Sequence, residues 1–124
     1  MITDSTDLDR LAEELTAVID HVAATFGEGA LPTVRGELDC DPARPGLLTC
    51  WQYGVRLERP AHAERRLVEL VVPRLERDGW QVHDRSNALE LIARCSRDGA
   101  DFTVHVARSG AGVAIVGSTR CVTP

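Results

Sequence analysis

The most constraining feature of the chain is an apolar stripe near its start. Leu8, Leu11, Leu15, Val18 and Val22 recur at spacings of three and four, with Ala12, Ile19 and Phe26 beside them. That period places them on one side of an amphipathic helix over residues 4–26. Asp4, Ser5, Thr6 and Asp7 supply candidate caps and negative charge for the positive helix end, and Gly27 supplies a stop. The opposite side carries Asp9, Glu13, Glu14 and Asp20. An anionic lipid surface would repel it, so the apolar stripe is expected to pack on a sheet.

The period then changes from 3.6 to 2. Val34, Gly36, Leu38 and Cys40 alternate with Arg35, Glu37 and Asp39, which predicts a half-buried strand. Asp41-Pro42-Ala43-Arg44-Pro45-Gly46 reads as a turn. Trp51, Tyr53, Val55 and Leu57 share one side of a second strand, opposite Gln52, Arg56 and Glu58. The two strands are expected to form a hairpin.

Pro60 suits the first turn of a second helix, in which Leu67, Val71 and Leu75 stand four apart. Pro73 interrupts it, because proline lacks an N–H and its ring collides with the preceding turn. A kink near residues 66–72, or a helix that ends and restarts, follows. After Gly79 come four strand patterns: residues 80–83, residues 88–95, a run through Phe102, Val104 and Val106, and a run from Val113 to Cys121. Asp98-Gly99 is a hairpin signal, and Ser109-Gly110-Ala111-Gly112 turns the chain again.

The resulting order is α-β-β-α-β-β-β-β. It predicts one α+β domain over residues 1–124, a two-layer sandwich with two helices on a mostly antiparallel sheet. A chain of 124 residues can bury roughly two-thirds of its unfolded surface.

Charge narrows the function classes. Fourteen arginines, no lysine and 19 acids leave a formal charge of −5, without the basic patch of a nucleic-acid binder. The lysine-free composition matches GC-rich codon usage. No apolar run approaches the ~18 residues of a membrane span. Arg65, Arg66, Arg74 and Arg77 interleave with Glu69, Glu76 and Asp78, with Asp84 and Arg85 nearby. This cluster reads as a paired, solvated helix face, or as a surface for a protein partner.

Chemistry-bearing motifs are sparse. There is no G-x-S-x-G, and Gly110-x-Gly112 sits between strands rather than before a helix. No two cysteines are spaced C-x-x-C, and the four histidines form no i,i+4 ligand pair. His83 and His105 alternate away from their apolar neighbours. On adjacent strands they would meet near Asp84 or Asp101 as an acid–base or metal-site candidate. The reading assigns no catalytic residue, cofactor or metal. Trp51, Tyr53 and Trp80 hold most of the aromatic mass. They are candidate core residues whose polar groups find partners at the margin, or binding hot spots if exposed. Together with Arg65 and Arg66 they are the candidate binding residues.

Cys40, Cys50, Cys95 and Cys121 allow two disulfides in three connectivities. No basic segment followed by an apolar one accompanies Met1. The expectations are a cytosolic protein with four thiols, or a mature segment whose export signal was replaced by Met1; the second is favoured. Gly79-Trp80 after a helix, a strand pair, and the ending Val116-Gly117-Ser118-Thr119-Arg120-Cys121-Val122-Thr123-Pro124 resemble small actinobacterial lipoprotein-like domains of the LppA-like kind. The resemblance covers mainly residues 61–124.

It implies an exported, cell-envelope, non-enzymatic protein in which Cys121 pairs with an upstream cysteine. Cys40 is the first choice, leaving Cys50 and Cys95 for a second bridge. Cys40–Cys50 with Cys95–Cys121 is the alternative. The chain departs from the family in having no lipidation cysteine near Met1. The reading is thus a secreted or envelope-associated binding module, with a cytosolic adaptor, chaperone or immunity-type protein as the alternative.

Overall fold

The computed structural model describes residues 4–123, with side chains from Asp7 onward. Helix α1 (Asp4–Phe26) precedes strands β1 (Leu31–Asp39) and β2 (Thr49–Glu58). A second helical segment follows, made of α2 (Ala63–Arg66), a π-helical turn (Leu67–Val71) and α3 (Val72–Arg77). Strands β3 (Gln81–Asp84), β4 (Glu90–Arg97), β5 (Ala100–Ala107) and β6 (Gly112–Thr119) complete the chain. The expected caps at Asp4, Ser5 and Thr6 lie outside the described side chains. No helix among the described residues is long and apolar enough to cross a membrane.

The six strands form one antiparallel sheet in the order β1-β2-β6-β5-β4-β3. The expected α+β architecture and element order are present. The meander starts at the far edge with β3 and works inward until β6 lies beside β2. Helices cover one side of the sheet. Directly opposed residues share a side, so Tyr53, Val55 and Leu57 align with Gly117, Ile115 and Val113, then with Phe102, Val104 and Val106. These meet Leu15, Ile19, Val22 and Phe26 of α1 and Leu67, Val71 and Leu75 of the second segment in one core. Gly117 is required there: a Cβ would run into the Asp101 carbonyl and Phe102.

Strand β1 shows the expected alternation in part: Val34, Gly36 and Cys40 are half-buried and Arg35, Glu37 and Asp39 exposed, but Leu38 is exposed. This is the edge strand, and its register sets Val34 opposite Gly54 and Leu38 opposite Cys50, on the side without helices. Leu31 and Leu38 are accordingly exposed. Alternation identifies the strand, but an edge strand on the side without helices is covered only in part.

Cys40 and Cys121 are bridged, with Cα atoms 6.4 Å apart and a sequence separation of 81. The bridge ties the end of β1 to the segment after β6. Cys50 and Cys95 are free, which corrects the expected second bridge. Cys95 is buried on the helix side of β4, whereas Cys50 faces the other side of β2, with β6 and β5 between them. Burial pushes the Cys95 thiol up to about 12 and raises that of Cys50 as well.

Candidate functional site: the groove at the π turn

The second helical segment changes its hydrogen-bond spacing midway. The Arg66 N–H donates to His62 O four residues back, while the Val72 N–H donates to Leu67 O five residues back. Pro73 follows immediately. A continuous α-helix would need its missing N–H and would press its ring against the carbonyl of Glu69. The wider π turn relieves both demands. It is the irregularity expected at residues 66–72, and such turns recur at functional sites.

The turn divides the apolar residues of the segment into two sets. Leu67, Val71 and Leu75 are buried. Val68 and Leu70 remain 59% and 53% exposed. Between this turn and the outer strands lies a groove of about 240 Å³. Leu67, Val68 and Val72 form its helical wall, and Val82, Leu91 and Ala93 form the strand wall. Two features of the sheet make room. β3 is only four residues long, and β4 presents the small Ala93 where β5 and β6 present Val104 and Ile115.

The polar groups are gathered at the rim. Asp84 lies directly opposite Ala93, at a position whose side of the sheet is otherwise apolar, and its carboxylate is exposed. The Ser86 N–H donates to Asp84 Oδ1 at 2.9 Å, and Ser86 Oγ accepts from the Ile92 N–H at 2.9 Å. Hydrogen bonds from the Ser86 side chain and backbone hold the Asp84 carboxyl below its ordinary value, so it is ionised near neutrality. Glu76 supplies the other carboxylate from α3.

The residues nominated from sequence are placed elsewhere. Trp80 is buried in the core, edge-on to Phe102 with ring centroids 4.9 Å apart, and the Arg97 guanidinium lies 4.4 Å above its ring. Tyr53 is 5% exposed, and its hydroxyl donates to Asp20 Oδ1 at 2.6 Å. Trp51 is half-buried, and its indole N–H is buried without a partner among the described residues. Arg66 donates to the carbonyls of Thr25 and Phe26 at 3.2 and 3.0 Å, capping α1, whose last turn has no basic residue of its own. Arg65 borders a shallow depression with Pro60, His62 and Arg108.

His83 and His105 are not neighbours, which removes the conditional acid–base pairing. β4 separates their strands, His83 stands opposite Arg94, and His105 Nδ1 lies 3.6 Å from Glu90. Among the described residues no three His, Cys, Asp or Glu side chains converge as a metal-ligand set. The arginine-rich helix is partly paired as expected: Arg74 meets Asp78 at 3.3 Å, and Glu64 meets Arg108 at 3.6 Å.

Sequence reasoning locates the break at Pro73 and names Glu76 and Asp84, but not the groove. The groove exists because β3 and the second helical segment meet at the far edge of the sheet, and no local pattern encodes that meeting. Comparison of the chain with protein-family models, curated proteins and solved structures finds no match.

Proposed function

We propose that the chain is a small non-enzymatic binding module that engages a protein partner through the π turn and the groove beneath it. One observation carries this reading: Val68, mostly exposed, lines an apolar groove beside an irregular helical turn, and Leu70 stands exposed on the same turn. Exposed apolar surface beside a concavity is characteristic of contact sites. The groove is also smaller than the roughly 300–1,000 Å³ of pockets that take drug-sized ligands. It suits an anchoring side chain of a larger partner.

The setting we favour is secreted or cell-envelope. The long-range Cys40–Cys121 bridge supports it, since disulfides persist in oxidising compartments, and so does the resemblance to LppA-like domains. Cys50 and Cys95 favour the second reading, a cytosolic adaptor, chaperone or immunity-type protein, because neither is bridged.

A photo-crosslinking residue at Val68 tests the contact surface, with the same residue at exposed Glu14 of α1 as control. The expected result in native extract is a discrete crosslinked species from position 68 alone. Identical products from both positions would remove the reading. Alkylation and intact-mass measurement test the compartment. One bridge with two alkylated thiols fits export; four alkylated thiols in protein isolated with thiols trapped at lysis fit the cytosol.

A further inference from the structure

We infer that the groove receives an apolar side chain from a protein segment that carries lysine or arginine beside it. The inference rests on the binding reading above and adds the chemistry of the partner. The walls set the first requirement. Leu67, Val68, Val72, Val82 and Leu91 offer no charge to an occupant, so its inserted part must be apolar.

The rim sets the second. Both ionisable side chains that line the groove are carboxylates: Glu76 from the helical wall and Asp84 from the strand wall. Of the chain's 14 arginines, none lines it. Three arginines of neighbouring elements are engaged elsewhere. Arg74 pairs with Asp78, Arg97 donates to Asp78 O at 2.9 Å, and Arg108 donates to Asn87 O at 2.9 Å beside Glu64.

Neither Glu76 nor Asp84 has an ion-pair partner among the described residues. Two carboxylates without a contact ion pair, the charge of Arg108 bearing on Asp84 only at longer range, flank the apolar slot and attract a cation placed next to an apolar anchor. They repel an acidic segment, and so supply specificity at the rim.

The test is selection of random peptides displayed on phage against the folded, disulfide-bonded chain. Counter-selection uses Val68→Arg, which blocks the mouth from an exposed position. The expected peptides place Leu, Ile, Met or Phe next to Lys or Arg and lose binding to Val68→Arg. Glu76→Gln/Asp84→Asn should weaken them roughly five- to tenfold. Added salt should weaken binding to the parent chain while leaving the double variant nearly unchanged. That salt contrast is independent of any loss of folding.

Peptides that need an open mouth but lack basic residues, or ignore the double variant, would overturn the inference and leave the groove reading standing. If no peptide distinguishes the parent from Val68→Arg, the groove reading itself falls.

Discussion

α1 and the second helical segment cover the same side of the sheet, yet they use their apolar residues differently. α1 runs 23 residues without a break, and none of the exposed large hydrophobic side chains among the described residues belongs to it. Leu8, Leu11, Leu15, Ile19, Val22 and Phe26 are all buried. The second segment buries a single ridge at Leu67, Val71 and Leu75 and leaves Val68 and Leu70 in solvent. A helix spends its apolar side chains on the core when its spacing is regular along its length. The second segment has more apolar side chains than its buried ridge accommodates, and Val68 and Leu70, to either side of that ridge, stay in solvent. The first helix is therefore read as scaffold and the second as contact surface.

Paired truncations put the largest strain on that contrast. Leu15 is fully buried, so Leu15→Ala should cost about 3 kcal/mol in urea unfolding. Val68→Ala should stay within about 0.5 kcal/mol, because Val68 stands mostly in water. Comparable costs at the two positions would mean that Val68 belongs to the core, and the division between scaffold and contact surface would collapse.

The two helices also differ in how far sequence discloses them. The α1 stripe is a local, repeated signal, and every member named from its spacing is buried or half-buried. The interruption at Pro73 is equally local and is legible from one residue type. The groove is not, because it depends on which strand reaches the edge beside the second segment. Asp84 looks like one acid in a charged stretch until β3 pairs with β4 and sets it opposite Ala93. The failure at Leu38 shares that cause. Alternation reveals β1 without revealing that its apolar side is covered only in part. An even count of cysteines suggests a second bridge, but alternation sets Cys50 on the side of its strand away from Tyr53, and that pattern, not the count, matches the two free thiols.

A hydrogen bond between α1 and β2 offers the next test. Tyr53 donates to Asp20, and removing a part-buried bond to a charged acceptor costs about 1–2 kcal/mol, which is the expected loss in Tyr53→Phe. Burial first, and then the Asp20 carboxylate, push the Tyr53 hydroxyl up to about 12. A folded-state value above the unfolded one near 10 means that this stabilisation is complete below about pH 10 and is lost as pH rises toward 12. The parent chain and Tyr53→Phe should therefore differ most at neutral pH and converge across that alkaline interval. A difference that holds constant through pH 12 would show that Tyr53 anchors α1 by packing alone.

A small stability effect, and the sharpest test of cause, is expected from Pro73→Ala. Leu67, Val71 and Leu75 would share one side of an ordinary α-helix as well, so the core does not by itself demand a π turn. Restoring an N–H at position 73 would let it donate to Glu69 O at the ordinary spacing of four. Alanine is the better helix former, but it also frees the unfolded chain that proline restrains. These contributions oppose each other, and the net gain should be under about 1 kcal/mol. The structural readout should be larger: stronger amide-exchange protection across residues 69–73, with weaker binding of any groove-dependent peptide. Unchanged exchange would mean that packing against β3 and β4, rather than the missing donor, holds the turn open. In that case Ala93→Val, which fills the strand wall, becomes the substitution that decides whether the second segment can close into a scaffold like the first.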